Sequence, residues 1–361
     1  MSITLVRNHL RHKNTIFRFL LCRSCFLTFF FLLFFVGGSY RTAAQQGYRL
    51  VFWNVENLFD IFDDPLVNDD AFTPAGENRW NAHRYAVKLS NISKTLVALG
   101  GRGGGRFEMP LLVGMAEVEN DRVLRDLCRG TPLRRFNYGF VHFDSPDRRG
   151  IDNALLYRKG LFTPYGSRAV SVSDSAAGFF TRDILVVEGV TSLGDTIIAV
   201  VNHFPSKRGG VAADRRRVAV ATQLRLLMDS LSAAHPRAAL VVMGDYNGAP
   251  DEYELRGRLS HDASGRFVNL MEGVEPGRGS YKYRDHWSCL DQIIVSSNLT
   301  DKEETCPLRL VEPEGQVFEA DFLMLDDEKF LGRKVFRTYL GMKYQGGYSD
   351  HLPVFVDLLR R

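Results

Sequence analysis

The chain of 361 residues carries 46 lysine and arginine residues and 42 acidic residues, a formal net charge of +4. Six of the cations and none of the acids lie in residues 1–45, so the rest of the chain carries 40 cations against 42 acids, a balance of −2. Outside its first 45 residues the chain therefore has no global positive charge to hold a polyanion, and any affinity for anions must come from local groups.

Residues 1–45 have the composition of a secretory leader. The segment is basic, contains an apolar stretch of eleven residues from Phe26 to Val36, and continues to the small residues Thr42-Ala43-Ala44. That stretch is too short to span a bilayer, for which about 20 residues are needed. We expect export to the periplasm or the cell exterior after cleavage near Ala44. An uncleaved membrane anchor is the alternative.

The remaining residues, 46–361, are enough for one large α/β domain. Apolar runs of strand length occur at 49–53, 111–115, 154–157, 184–187, 196–201, 239–243, 292–296 and 354–358, and helical patterns occur at 81–99, 121–128 and 214–234. Strands and helices alternate early in the chain, whereas strands follow one another in its middle. This order predicts mixed sheets and not a doubly wound parallel sheet.

Several connecting segments have compositions of their own. The long connections 60–78 and 299–347 are predicted to form walls or lids of a site, and the first holds five aspartates that would repel a polyanion or hold a second cation. The glycine-rich stretch 100–106 predicts a flexible loop and lacks the lysine of a phosphate-binding loop. The cysteines after the leader, Cys128, Cys289 and Cys306, form no zinc motif; one disulfide could form, but packing is the simpler expectation.

Polar residues come at the end of several of the apolar runs or within a few residues after it. They are Asn54 and Glu56 after 50–53, Glu117 and Glu119 after 111–113, Asn202 and His203 after 197–201, and Asp245 and Asn247 after 240–243. Because residues i and i+2 of a strand face the same side, Asp245 and Asn247 are predicted to project together from the end of a buried strand. The recurrence predicts one site lined by acids, amides and imidazoles.

Glu117, Asn54 and Glu56 are the candidate metal ligands. Their hard oxygen groups suit Mg²⁺, Mn²⁺ or Ca²⁺. The sequence contains neither a cysteine cluster nor a helical histidine pair with the spacing of a zinc site. Any one of these residues alone would more often be an ordinary surface or structural residue, but their joint placement at strand ends favours a metal site.

Asp350-His351 lies between a Gly-Gly-Tyr-Ser segment and the run 352–358. Adjacent strand residues face opposite sides, so both side chains reach one site only if Asp350 sits in a turn, which the glycines allow. Asp291, at the head of the run 292–296, is predicted to orient His351. An imidazole paired with a carboxylate is a fixed acid or base near neutral pH.

A second imidazole, His203, begins a glycine-flanked loop that also carries Lys207 and Arg208. These two cations could hold phosphate oxygens; the alternative is a solvated basic loop. Asp152 lies just before another apolar run and is a candidate for orienting His203.

Six motifs, taken together and in this order, resemble the endonuclease/exonuclease/phosphatase superfamily, which includes pancreatic deoxyribonuclease, abasic-site endonucleases, sphingomyelinases and inositol polyphosphate 5-phosphatases. The motifs are Trp53-Asn54-Val55-Glu56-Asn57, Ala116-Glu117-Val118, Asn202-His203, Gly244-Asp245-Tyr246-Asn247, Leu290-Asp291-Gln292 and Ser349-Asp350-His351. Each motif is weak by itself, but the set is specific and covers nearly the whole chain after the leader.

The resemblance implies a deoxyribonuclease-I-like fold, a four-layer α/β/β/α sandwich of two packed mixed sheets with the site at one end. It implies that Glu117 binds a divalent metal, Mg²⁺ or Mn²⁺ with Ca²⁺ as a further candidate. Asn54 and Glu56 would lie near that ion. Asp350 would be a metal ligand or would support one.

The resemblance also implies the catalytic roles. Asp245 would position and deprotonate the attacking water, and Asn247 would hold the phosphate or that water. His351, oriented by Asp291, would stabilise the phosphoryl oxygens or serve as acid or base. His203 would contact the phosphate from the other side.

The predicted function is metal-dependent hydrolysis of phosphoester bonds by a nuclease-type phosphodiesterase acting as a monomer, with nucleic acid as a candidate substrate and no stable protein partner. A phosphatase or phospholipase-like enzyme acting on small or lipid phosphoesters is the alternative, although no exposed aromatic hairpin argues for membrane insertion. A catalytically inactive binding module is the alternative of another class. Retention of the acids and imidazoles together argues against it.

Overall fold

Two mixed β-sheets stacked face to face form the centre of the molecule. The computed structural model describes residues 47–102, 106–174, 178–208, 210–252, 256–261, 264–300 and 305–361. The strands of the two sheets are β1 (Gly47–Leu58), β2 (Leu112–Val118), β3 (Tyr138–His142), β4 (Asp152–Arg158), β5 (Phe162–Val170), β6 (Ile184–Thr191), β7 (Thr196–His203), β8 (Ala239–Asp245), β9 (Phe267–Asn269), β10 (Asp291–Ser296), β11 (Leu308–Leu310), β12 (Gln316–Val317) and β13 (Val354–Arg360). The α-helices are α1 (Ala82–Ala98), α2 (Asp121–Gly130) and α3 (Val211–Ala234).

Short hairpins and single helical turns occupy the connections. The hairpins pair Gly101–Arg102 with Arg106–Phe107, Tyr281–Tyr283 with His286–Ser288, Met324–Asp326 with Arg333–Val335, and Tyr339–Leu340 with Lys343–Tyr344. The turns are Asp70–Phe72, Pro132–Phe136, Arg256–Ser260, Ser297–Leu299 and Asp321–Leu323. The glycine-rich stretch that was expected to be a flexible loop thus carries a two-residue ladder next to its tip, and residues 103–105 at that tip lie outside the described residues.

Each sheet contains one parallel pair of strands. The first sheet has the order β11-β13-β1-β2-β4-β3, with β12 also paired to β13, and the second has the order β9-β10-β8-β7-β6-β5. The parallel pairs are β1 with β2 and β7 with β8, and the other neighbours run antiparallel. The last part of each of these four strands carries polar residues that the sequence singled out: Asn54 and Glu56 in β1, Glu117 in β2, Asn202 and His203 in β7, and Asp245 in β8.

Alternation along the strands buries both faces of each sheet. Leu50 and Phe52 of β1 face the second sheet, whereas Val51 and Trp53 belong to the cluster that packs under α1 and α2. The second sheet packs its outer face against α3 in the same way. Strands buried on both faces have continuous apolar runs, which is the pattern found in the sequence. The prediction of a four-layer α/β/β/α sandwich is confirmed.

The elements that the sequence did not predict lie at sheet edges or are very short. β5 is an edge strand in which only Phe162 is buried, so it shows no apolar alternation. β9 and β11 have three residues each. α3 begins at Val211, ahead of the predicted start at 214.

The cysteines of the described residues are Cys128, Cys289 and Cys306, and all three are free and buried. Burial raises the pKa of the Cys128 thiol to about 12 and that of Cys289 to about 11. They serve as packing residues. Within the part of the chain that the structure describes, no helix combines the length and apolar character needed to cross a membrane.

Candidate active site

The candidate site lies where the two parallel strand pairs end. Asn54 of β1 donates its amide Nδ2–H to Asp245 Oδ2 of β8 at 2.9 Å, so this hydrogen bond joins the two sheets. Asp245 lies opposite His203 of β7 on one side and opposite Asp291 of β10 on the other. The topology therefore brings the ends of four strands together around one carboxylate.

The backbone leaves regular strand geometry at this end of the sandwich. Register shifts interrupt β1 between Asn54 and Leu58 and β2 between Ala116 and Val118. Glu56, Glu117 and Asn247 have φ values of 52°, 64° and 48°. Non-glycine residues in this left-handed region store strain and cluster at functional sites, and bulges re-aim side chains beside such sites.

Asn247 reaches the site by a turn and not by strand alternation. β8 ends at Asp245, and the backbone N–H of Asn247 donates to Asp245 Oδ1 at 2.8 Å. The Asn247 side chain donates Nδ2–H to the carbonyl of Phe204 at 2.9 Å. Asp245 and Asn247 lie at the same edge, as expected, but an Asx-type turn places Asn247 there.

Asp245 is the centre of the cluster. Its side chain is 2 % exposed, and its Oδ2 lies 3.5 Å from His203 Nε2 and 3.8 Å from His351 Nε2. Burial raises the pKa of Asp245 to about 7, against the opposing influence of the nearby His351. A carboxylate that titrates near neutral pH is suited to accept a proton.

His351 is held by Asp291, as the sequence predicted. The distance from His351 Nδ1 to Asp291 Oδ2 is 2.6 Å, and the Tyr281 ring packs on the imidazole with centroids 4.9 Å apart. Burial alone would lower the pKa of His351, but the charges of Asp291 and Asp245 raise it well above its usual value. The two carboxylates therefore favour the protonated form of His351.

The pKa of His203 is shifted in the opposite direction. Burial, followed by the positive charge of Arg182, lowers the pKa of His203 well below its usual value. Arg182 donates to the backbone carbonyl of His203 at 3.0 Å and pairs with Asp147 at 2.9 Å. Asp152 does not orient His203: it contacts His142 Nε2 at 3.3 Å, and His203 Nδ1 has no hydrogen-bond partner in the described residues.

The acidic side of the site holds a basic side chain that comes from the connection 299–347. Arg337 donates Nε–H to Glu56 Oε1 at 3.3 Å and Nη2–H to Asp350 Oδ2 at 2.8 Å. Glu56 Oε2 accepts the backbone N–H of Thr338 at 2.7 Å. Burial, and then the charge of Asp350, raise the pKa of Glu56.

Glu117 has a more open environment. Its side chain is half-buried, and Oε2 accepts the backbone N–H of Asn57 at 2.9 Å. Among the described residues Oε1 has neither a hydrogen bond nor an ion pair. An oxygen without a partner on a half-buried carboxylate suits a hard cation with water in its remaining positions. The amide oxygen of Asn54, on the neighbouring strand, accepts the backbone N–H of Glu56 at 3.0 Å. Ligand-type atoms lie within 4.8 Å of one another in two groups of the described residues, Asp245 with Asp291 and His351, and His142 with Asp144 and Asp152. In the first group the bond between His351 and Asp291 already occupies two of the atoms.

Lys207 and Arg208 are exposed, and the structure gives Lys207 another partner. Its ammonium pairs with Glu252 Oε1. Glu252 also accepts from Arg217 Nη2 at 3.2 Å. Lys207 is thus neutralised by a carboxylate, while Arg208 forms neither a hydrogen bond nor an ion pair among the described residues and acts on the pKa of Tyr281 through its charge.

Sequence reasoning missed three cations of the site: Arg182, described above, Lys88 and Arg337. Lys88 is 1 % exposed and donates Nζ–H to Thr338 Oγ1 at 2.5 Å and to the carbonyl of Tyr348 at 2.7 Å. The sequence could have indicated that Lys88 is buried, because Lys88 lies four residues before Ile92 and therefore on the apolar face of α1. Arg337 had no such signal, because it lies in an irregular connection where side-chain direction does not follow from spacing.

The sequence model of the Endonuclease/Exonuclease/phosphatase family matches residues 49–360, from β1 to β13. Comparison with curated protein sequences found no match.

Several solved structures have a similar fold. A structure of Danio rerio TDP2 in complex with a single-strand DNA product has a TM-score of 0.54 and 15% identity, and the match covers 87% of this chain and 99% of that one. The human nocturnin catalytic domain with a bound sulfate anion has a TM-score of 0.52 and 16% identity, covering 87% and 95%. A mannosyl-6-phosphatase of Bacteroides thetaiotaomicron has a TM-score of 0.51 and 13% identity, covering 86% and 99%. At these identities the likeness concerns the fold.

Proposed function

Because the chain belongs to the endonuclease/exonuclease/phosphatase family of phosphoester hydrolases, we propose that it is a divalent-metal-dependent phosphodiesterase of the nuclease type. The observation that carries the proposal is the buried carboxylate of Asp245, which lies 3.5 Å from His203 Nε2 and 3.8 Å from His351 Nε2, with Asp291 holding the His351 ring at 2.6 Å. Glu117, with its free oxygen, lies at the end of the neighbouring parallel pair.

Hydrolysis of a phosphate ester needs an activated water and neutralised charge on the non-bridging oxygens. Asp245 is the base that takes the proton from the attacking water, and Asn54 and the Asn247 N–H hold its carboxylate in place. The proton on His351 Nε2 is available to a phosphoryl oxygen, while Asp291 fixes the ring through Nδ1. His203, being neutral, approaches from the opposite side without adding charge.

The residues that would hold the divalent ion are Glu117 and Asn54. A bound Mg²⁺ or Mn²⁺ would supply charge neutralisation at the phosphoryl oxygens and stabilise the leaving oxygen. The oxygen-only donor set favours these hard ions, with Ca²⁺ as a further candidate.

The second candidate function is hydrolysis of small phosphate monoesters. The pairing of Lys207 with Glu252 favours it, because it neutralises one of the two basic side chains that the sequence predicted to hold phosphate. The near-neutral charge of residues 46–361 points the same way. The similar folds include a protein described as a phosphatase and one crystallised with a DNA product.

We also propose that the protein is exported after cleavage near Ala44 and works as a monomer. Amino-terminal sequencing of the protein recovered from the periplasm or medium tests the cleavage. An intact amino terminus on membrane-bound protein would contradict it.

A substrate panel tests the proposed function. The purified protein is incubated with Mg²⁺ or Mn²⁺ and with plasmid DNA, RNA, nucleotides, inositol phosphates, sugar phosphates and sphingomyelin. The proposal predicts cleavage of a phosphodiester that stops on chelation; cleavage of monoesters alone supports the second candidate. Absence of turnover together with absence of metal binding in isothermal titration would favour an inactive binding module.

A further inference from the structure

A buried arginine of the second sheet holds the backbone beside His203. Arg182 lies two residues before β6, and its side chain is 6 % exposed. Its Nη2–H donates to the backbone carbonyls of His203 at 3.0 Å and Phe204 at 2.7 Å, and its Nη1–H donates to Asp147 Oδ2 at 2.9 Å. Because a guanidinium carries its N–H donors in a rigid planar fork, one side chain fixes these three acceptors relative to one another.

The Phe204 carbonyl connects Arg182 to Asn247. Besides the bond from Arg182, this carbonyl accepts the side-chain Nδ2–H of Asn247 at 2.9 Å. The backbone N–H of Phe204 donates to the backbone carbonyl of Asp245 at 2.8 Å, and the N–H of Asn247 donates to Asp245 Oδ1 at 2.8 Å. A shift of the Phe204 peptide would therefore move both Asn247 and His203 relative to the Asp245 carboxylate.

Within the described residues the ring of His203 receives little support from hydrogen bonds. Its Nδ1 has no hydrogen-bond partner there, and its Nε2 lies 3.5 Å from Asp245 Oδ2. The ring of His351, by contrast, is held by Asp291 at 2.6 Å. The orientation of His203 therefore depends on its backbone, whose carbonyl Arg182 binds.

Asp147 fixes the guanidinium from the connection between β3 and β4. The side chains of Asp147 and Arg182 are 7 % and 6 % exposed, so their ion pair is shielded from water and little screened. Asp147 Oδ1 accepts the backbone N–H of Arg149 at 2.9 Å, and the Asp147 carbonyl accepts that of Gly150 at 3.0 Å. Gly150 has a φ of 64°, and a Cβ atom there would collide with Val67. The turn that carries Asp147 is thus itself held in place.

Resting on the proposed hydrolysis of phosphoesters, we propose that Arg182 is a positioning residue, which sets His203 and Asn247 in place through the two carbonyls that it binds. Both Nη atoms of Arg182 are engaged by acceptors of the protein, so Arg182 acts through these residues. A displacement of about 1 Å at a reacting centre lowers the rate by about 10²-fold. Loss of the fork is therefore expected to lower kcat more than it raises KM.

Arg182→Lys tests the role of the fork. Lysine retains the positive charge beside Asp147, but its ammonium does not match three acceptors arranged around a guanidinium. With the best substrate of the panel and Mg²⁺, kcat is expected to fall by about 10²-fold, with a smaller change in KM. An unchanged kcat in the folded variant would overturn the proposal.

Arg49→Lys is the matched control. Arg49 is also buried, pairs with Asp357 at 2.7 Å and donates to two backbone carbonyls, those of Leu99 and Gly101. It lies near the start of β1, five residues before Asn54. Its kcat is expected to match that of the wild-type chain, although both changes weaken a buried ion pair. An equal loss of kcat in the two variants would show a general structural effect and would overturn the proposal.

Nuclear magnetic resonance of the metal-free protein gives a readout that needs no turnover. The signals of the His203 ring and of the Asn247 side-chain amide, assigned with His203→Gln and Asn247→Ser, are expected to shift in Arg182→Lys. They are expected to stay unchanged in Arg49→Lys. Unchanged signals in a folded Arg182→Lys variant would overturn the proposal.

A double variant covers the case in which a change at Arg182 alone leaves a buried charge and prevents folding. Arg182→Gln combined with Asp147→Asn removes both charges of the pair, so neither remains buried without its partner. The double variant is expected to show the same loss of kcat as Arg182→Lys, and wild-type turnover by it would overturn the proposal.

The double variant also changes the charge around His203. Burial and three nearby cations hold the pKa of His203 down, and these cations are Arg182, Arg149 and His351, with the Asp245 carboxylate opposite. The pKa of His203 is expected to rise in the double variant and to stay low in Arg182→Lys; an equal pKa in both would overturn the proposal. A wild-type chain that hydrolyses no ester would contradict the proposed function, and the signals of His203 and Asn247 would still decide the role of Arg182.

Discussion

In the proposed mechanism, Asp245 and the two imidazoles beside it provide a base and an acid at one buried position. The charges of Asp291 and Asp245 raise the pKa of His351, whereas burial and then the charges of Arg182 and Arg149 lower the pKa of His203. The pKa values of the two imidazoles are thus shifted in opposite directions on the two sides of one carboxylate. Groups with pKa values driven apart by their surroundings are typical of acid–base sites.

Removing either group is expected to stop the reaction without unfolding the protein. Asp245→Asn keeps the shape of the side chain but cannot accept a proton, and His351→Ala removes the cation. Each change is expected to lower kcat by about 10²–10⁴-fold, measured with the best substrate of the panel. Asp144→Asn is the control, because that side chain is 90 % exposed. Near-normal turnover by the first two variants, with unchanged circular dichroism, would refute the assignment.

The pKa of Asp245 sets a direction for the pH profile. The base must be ionised, so kcat/KM is expected to rise with pH and to level off once Asp245 has lost its proton. The pKa of about 7 is an upper bound for the midpoint, because a bound cation would favour the carboxylate. A rate that falls as pH increases through this midpoint would show that another group acts as the base.

At the scale of elements, the parallel pair β7 and β8 sets the distance between Asn202-His203 and Asp245. Gly244 lies directly opposite Asn202 in this pair, and a Cβ atom on Gly244 would collide with the Asn202 backbone and side chain. Asn202 in turn donates its amide to the Met243 carbonyl at 3.1 Å. The absence of a side chain at Gly244 is therefore a condition for the close approach of the two strand ends.

Gly244→Ala is expected to destabilise the protein and to displace His203. Overpacking of this kind costs about 1–3 kcal/mol, which is measured as a lower midpoint in urea unfolding. Gly166→Ala in β5 is the matched control, since a Cβ there meets Glu188 only at 3.8 Å, an ordinary contact distance. Equal stability of the two variants would show that β7 and β8 are not tightly coupled at this position.

The layers of the fold could be predicted from the sequence because buried strands and amphipathic helices leave periodic patterns. The positions of Asp245, His351 and Asp291 follow from the strand ends. The turn at Asn247 and the bulge at Glu117 could not be predicted, because strand spacing carries no information about a left-handed residue. Arg337 could not be predicted either, since its place depends on contacts far apart in the chain.

At the scale of the whole molecule, the site is suited to a phosphoester substrate. The charge of the chain does not favour a polymeric substrate over a small one. Residues 46–361 carry a balance of −2, and the catalytic cluster is built from buried groups and not from a basic groove. Electrostatic attraction therefore contributes little to binding a long polyanion.

The most direct test of the account is the initial rate of 4-nitrophenolate release from bis(4-nitrophenyl) phosphate and 4-nitrophenyl phosphate, measured with Mg²⁺ or Mn²⁺ and again after chelation. The account predicts hydrolysis of at least one ester that is lost with EDTA, restored by either ion, and absent in Asp245→Asn at every metal concentration. Hydrolysis that survives chelation, or that Asp245→Asn retains, would contradict it.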